Sequence, residues 1–156
     1  CGVRHAVAMS SGSGALICSL KAIGIEPGDE VIVPAYTFIA SFSSVIHAGG
    51  IPVLAEIDES LNIDPGDIER RITGKTKAIM PIHMLGNPCD MDAVMSIARK
   101  HGLEVIGQGH AVLLRGGLPA LGVVVPDHAK LGLVVLDDVV GVAIGVDMGK
   151  AQHRGA

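Results

Sequence analysis

Four short aliphatic runs, each followed by a stretch of different periodicity, constrain this chain more than any other feature. Val31-Ile32-Val33, Ile51 to Ile57, Lys77 to His83 and Glu104 to Ile106 read as strands. Between them the spacing turns helical. Ser13 to Ile23 carries Leu16, Ile17, Leu20 and Ile23 on one stripe, with Gly24 where a helix stops. Thr37 to Ala48 reads as a second helix ended by Gly49-Gly50, and Asp64-Pro65 opens a short one with proline at its first position. Asp90 to His101 sets Met91, Val94, Ile97 and Ala98 on one face and closes on Arg99-Lys100-His101-Gly102. Strands alternating with helices make an α/β fold, three-layered around a mostly parallel sheet. Lys77 to His83 is apolar nearly throughout, as a strand covered on both faces requires.

The core of such a fold is aliphatic, and the composition agrees: 49% hydrophobic residues but only 2% aromatic, in a chain of 156 residues, enough for one domain. A formal charge of −4 with no lysine or arginine cluster excludes a nucleic-acid backbone as partner. No apolar stretch reaches the ~18 residues of a membrane span, since Leu131 to Val146 is broken by Asp137-Asp138, and no secretory signal is present. Cys1, Cys18 and Cys89 fit neither a disulfide framework nor a zinc site, which implies a reducing cytoplasm. His83 with Asp90 and Asp92 has no ligand spacing, so no metal is assigned. From Ala111 onward valine, leucine and glycine dominate without amphipathic period.

Two motifs carry chemistry. Ser10-Ser11-Gly12-Ser13-Gly14 stands before the first helix, where free N–H groups and the helix dipole favour an anion and glycine allows close approach. The same residues also read as an ordinary serine N-cap. Pro34-Ala35-Tyr36-Thr37-Phe38 follows a strand and sets an aromatic at its carboxyl edge; Phe38 reads as a shelf for a flat ring or as a plain core residue, the latter being the reading for Phe42. A phosphate joined to a flat ring is the chemistry of pyridoxal phosphate.

At these residues the chain resembles the DegT/DnrJ/EryC1/StrS family of sugar aminotransferases, pyridoxal-phosphate enzymes of the aspartate-aminotransferase fold type. The resemblance runs in order through His5-Ala6-Val7-Ala8, Gly28-Asp29-Glu30-Val31-Ile32-Val33-Pro34, Asn62-Ile63-Asp64-Pro65, Thr76 to His83 and Asp90-Met91-Asp92 to Val105-Ile106, then decays. It divides the chain into a family-like part of the large domain, residues 1–110, and a divergent segment, residues 111–156. Family members are more than twice this length, so the chain, beginning at Cys1, reads as a piece without the small C-terminal domain.

The resemblance implies that Gly12, Ser13 and Gly14 hold the phosphate and that Phe38 stacks on the pyridine ring. It implies transfer of an amino group from an amino acid to a nucleotide-linked keto sugar, by a homodimer. Two positions depart from the family pattern. Gln108, in Gly107-Gln108, stands where the family has Glu-Asp, whose aspartate pairs with the pyridine nitrogen; a neutral amide cannot pair with that charge. The family's lysine segment is missing, and Lys130 in Pro126-Asp127-His128-Ala129-Lys130-Leu131-Gly132 is the nearest lysine, or else a solvated loop residue. His128 matches the histidine of the family's sugar 3-dehydratases, and His110 the residue placed shortly after the aspartate. Weak or absent transaminase activity is therefore expected of this chain. A non-catalytic remnant or cofactor-binding, oligomerising module, and a pyridoxal-phosphate sugar dehydratase, are the alternatives.

Overall fold

The structure, a computed structural model, describes residues 8–9, 11–109, 112–113, 119–123, 131–136 and 142–146, with side chains over 11–107. Helix α1 (Gly12–Ala22) leads through a turn into strand β2 (Glu30–Pro34), the first strand, β1, being Ala8–Met9. Helix α2 (Ile39–His47), strand β3 (Ile51–Ala55), helix α3 (Pro65–Arg71) and strand β4 (Thr76–Ile79) follow. Then come β5 (Ile82–His83), a 3-10 turn at Met84–Gly86, α4 (Met91–His101), β6 (Glu104–Val105) and β7 (Gln108–Gly109).

The expected helices all form, within two residues of the sequence reading. Asp64 caps α3 through Gly66 N–H, and Asp90 caps α4 through Ala93 N–H. Gly102 ends α4 in the left-handed conformation at φ 67°, which a side chain would strain.

β3, β2, β4 and β6 form a parallel sheet in that order, and β5 and β7 pair in parallel just beyond β4 and β6. The single strand expected over Lys77 to His83 is thus two. Met80 N–H still bonds Ile32 C=O at 2.8 Å, but Pro81 has no N–H to continue the ladder. Likewise β3 stops at Ala55, and Ile57 makes only an isolated bridge to Ile63.

The two faces of β2 separate the layers. Val31 and Val33 pack with Leu16, Leu20 and Val45 under α1 and α2. Ile32, between them, packs with Ile68, Val94 and Ala98 under α3 and α4. Full burial of one such side chain is worth about 1.5–3 kcal/mol.

The segment from residue 112 on, which had no readable period, contributes β8 (Val112–Leu113), β9 (Pro119–Val123), β10 (Leu131–Leu136) and β11 (Val142–Val146). With β1 these make an antiparallel sheet in the order β1-β11-β10-β9-β8. Among the described residues, no helix is long and apolar enough to cross a membrane.

Candidate active site

The topology marks one end of the parallel sheet. From β2 the chain steps to β3 on one side, whereas from β4 it steps to β6 on the other, so strand order reverses between β2 and β4. The crevice outside the carboxyl ends of strands at such a reversal is where open α/β sheets take ligands.

α1 enters β2 through the turn at 23–29, and its Leu16 and Leu20 share a core cluster with Val31 and Val33 of β2. Beyond the end of β2, Tyr36, Thr37 and Phe38 follow and α2 begins.

The start of α1 is half satisfied. Ser11 Oγ accepts Gly14 N–H at 3.1 Å, and Ser11 C=O accepts Ala15 N–H at 3.0 Å. Ser11 is thus the N-cap, which leaves Ser13, exposed, outside the capping role. The N–H groups of Gly12 and Ser13 have no partner among the described residues. A Cβ on Gly12 would meet nothing within 4 Å, and the first turn carries no acidic residue. Two free N–H groups, open space and a favourable dipole fit a phosphate.

Phe38 is 64% exposed and Tyr36 44%. The core reading of Phe38 does not hold; Phe42, one turn on, is the phenylalanine packed against the core. Thr37 and Ser41 hydroxyls bond each other at 2.8 Å across the first turn of α2. An uncovered ring at the reversal point fits a flat aromatic group.

Gln108 opens β7 in register with Ile82, and Gly109 is in register with His83. Lys130, His110 and His128 lie outside the described residues.

Three further residues, His83, Cys89 and Asn62, make contacts that the sequence reading did not assign. His83 turns its ring onto its own loop: Nδ1 accepts Cys89 N–H at 3.0 Å, which puts the proton of the neutral ring on Nε2. Burial pushes its pKa below the usual histidine value. Cys89 Sγ donates to Ile82 C=O at 3.1 Å, and burial pushes that thiol up to about 11, an inert thiol at neutral pH. Asn62, 1% exposed, ties two loops together and left no local signal in the sequence.

Solved structures share the fold. DesV of S. venezuelae, solved with a ketimine intermediate, superposes with a TM-score of 0.72 at 34% identity, over 94% of this chain and 41% of that one. NtdA of Bacillus subtilis, solved with bound cofactor PMP, gives 0.73 at 34% identity over 93% and 34%. The class is thereby set: a three-layer α/β protein of the pyridoxal-phosphate aminotransferase fold.

Within that class, the model of the DegT/DnrJ/EryC1/StrS aminotransferase family matches residues 1–111, and the chain belongs to this family. GDP-perosamine synthase of Caulobacter vibrioides is 51% identical over 107 residues, 68% of this chain and 29% of that protein. The spore coat polysaccharide biosynthesis protein SpsC of Bacillus subtilis is 50% identical over 113 residues, 71% and 29%. dTDP-3-amino-3,4,6-trideoxy-alpha-D-glucose transaminase of Streptomyces venezuelae is 43% identical over 120 residues, 74% and 32%. The chain spans about three-tenths of the length of these relatives. The family's cofactor is pyridoxal phosphate.

Proposed function

We propose that this chain carries the phosphate- and ring-binding portion of a pyridoxal-phosphate sugar aminotransferase. The observation that carries the reading is the pair of N–H groups at Gly12 and Ser13 that have no partner among the described residues, with the exposed Phe38 just past the carboxyl end of β2. In this reading the Gly12 and Ser13 N–H groups hold the phosphate, the Ser13 hydroxyl adds a donor, and Phe38 lies against the ring, whereas the Gly14 N–H expected to share the phosphate is bonded to Ser11 Oγ. When bound, the cofactor supplies an electron sink for bonds at the carbon bearing the amine. Gln108 stands where the resembled family has an acid, and a neutral amide in that position pairs with no charge on the ring. Lys130 is the amine assigned to meet the cofactor aldehyde and to move the substrate proton.

The relatives' names support a nucleotide-linked sugar as one substrate; an amino acid as donor, a homodimer and a cytoplasmic location complete this reading. Residues 111–156 form the divergent segment of this assignment. Gln108 in place of an acid favours a second reading in which the cofactor is retained but transamination is weak or absent.

Titration with pyridoxal phosphate, followed by the cofactor's absorbance and by borohydride fixation, tests both. Saturable binding, with Lys130 as the labelled residue and Lys130→Ala unlabelled, supports the aminotransferase assignment. Saturable binding without a labelled lysine supports the non-catalytic reading. No binding by the intact chain overturns the cofactor assignment.

A further inference from the structure

The loop after β5 is closed on itself more heavily than its length requires. His83 Nδ1 accepts Cys89 N–H, and Cys89 Sγ bonds back to Ile82 C=O. Asn62, from the turn before α3, holds both ends of the same loop. Its Oδ1 accepts Met84 N–H at 3.0 Å, and its Nδ2 donates to Pro88 C=O at 3.2 Å and to Ser60 Oγ at 3.1 Å. Asn87 Nδ2 returns the contact to Ser60 C=O at 3.0 Å.

At the tips of these two joined segments stand Leu85 at φ 52° and Leu61 at φ 64°, the two described non-glycine residues in the left-handed region. Leu85 is 77% exposed, so burial of its side chain does not hold it in that conformation. A strained backbone persists only where its surroundings over-determine it, and such over-determined sites concentrate where geometry matters to function.

What the loop adjoins gives this meaning. β5 ends at His83, beside β7, with Ile82 in register with Gln108 and His83 with Gly109. β5 and β7 are two residues each, too short to set their own position by pairing alone. We propose that Asn62 is a positioning residue of the cofactor site: by clamping Met84 and Pro88 it fixes the end of β5 and, through the β5–β7 pairing, the backbone of Gln108. This rests on the reading of the site given above.

The test is Asn62→Ala in the full chain, read by amide hydrogen exchange at Gln108 and Gly109 and by the affinity and absorption spectrum of bound pyridoxal phosphate. Val94→Ala, a truncation in the core under α4, serves as the control for general destabilisation. For Asn62→Ala, exchange at Gln108 and Gly109 rises about tenfold, the scale of one lost hydrogen bond, while Val33 in β2 is unmoved. Cofactor affinity falls about tenfold with an altered spectrum, and Val94→Ala alters neither.

Asn62→Asp keeps the acceptor for Met84 N–H and loses both donors, so it gives an intermediate effect and stands in if the alanine variant does not fold. Unchanged exchange at Gln108 and Gly109, or an equal change in Val94→Ala, overturns the proposal while the wild type still binds cofactor. A wild type that binds none overturns the cofactor reading, and with it the functional half of this proposal.

Discussion

Ser13 offers a test in which stability and binding move in opposite directions. It sits in the first turn of α1, where no acid is present. Ser13→Asp adds a carboxylate that favours the helix dipole by about 0.3–1 kcal/mol, so thermal stability rises slightly. The same charge lies where the phosphate is assigned, and two like charges about 4 Å apart repel by roughly 4 kcal/mol in a partly screened site. Pyridoxal phosphate affinity is expected to fall at least about tenfold, measured by equilibrium titration. A parallel gain in both quantities removes the phosphate from α1.

Phe38→Ala makes the complementary point. The ring is exposed, so its loss leaves the fold nearly as stable, yet a stacked contact worth about 0.5–1.5 kcal/mol disappears. Affinity then drops about three- to tenfold with an unchanged unfolding midpoint. Gln108→Asp places a carboxylate where the resembled family has one. It is expected to strengthen the charged form of the bound ring and to raise amino-transfer turnover, read by single-turnover absorbance with an amino-acid donor.

At the scale of elements, α3 is anchored to β3 by one buried acid. Asp67 Oδ2 accepts Glu56 N–H at 2.7 Å, just beyond the end of β3, and Arg70 and Arg71 reach the same carboxylate at 3.0 and 3.1 Å. The Glu56 N–H holds its carboxyl below the usual value of 3.8; burial opposes this and the two arginines reinforce it. A carboxyl whose pKa is lower folded than unfolded contributes stability above its unfolded value. That contribution is lost as pH falls from the ordinary aspartate range through the depressed value. Asp67→Asn should cost about 1–3 kcal/mol at neutral pH in urea unfolding, and the cost should shrink in acid as the wild type loses the same charge.

The sequence carried α4 in full, because its cap, stripe, basic last turn and terminal glycine all lie within one local window. It did not carry the break at Pro81: the missing N–H is local, but its effect depends on the neighbouring ladder. The strands after residue 112 were illegible for another reason. Leu131 to Leu136 is apolar without alternation, so it is consistent with a buried strand of either direction. Within the site, the hydroxyl–glycine turn was readable as chemistry, whereas Ser11 as the cap and Ser13 as the free residue needed distances. Phe38 and Phe42 are indistinguishable by type, and only exposure separates them. Asn62 was invisible because its partners Met84 and Pro88 stand 22 and 26 residues away.

At the scale of the whole molecule, the described residues leave apolar surface uncovered on the α2 side. Ile39 and Ile46, 66% and 61% exposed, are seven residues apart on α2 and so lie on nearly one face, with Phe38 preceding the first. β3 adds Ile51 and Leu54 at the edge of the parallel sheet, where among the described residues strand pairing is open on one side and Pro52 blunts it only locally. Truncating the edge residues alone would leave the helix face intact, and the reverse holds too, so the two surfaces can be separated. If the α2 face drives association between copies, Ile39→Lys with Ile46→Lys lowers the mass seen by light scattering at a given concentration, whereas Ile51→Lys with Leu54→Lys leaves it high. Association through the edge strand gives the opposite ranking and brings dye-detectable β-aggregates with it. The α2 face is the expected driver, because its side chains stand on a helix already packed against α1 and need no strand register to meet a second copy. A wild type that stays monomeric across the concentration range removes both surfaces from consideration, and with them the homodimer assigned to this chain.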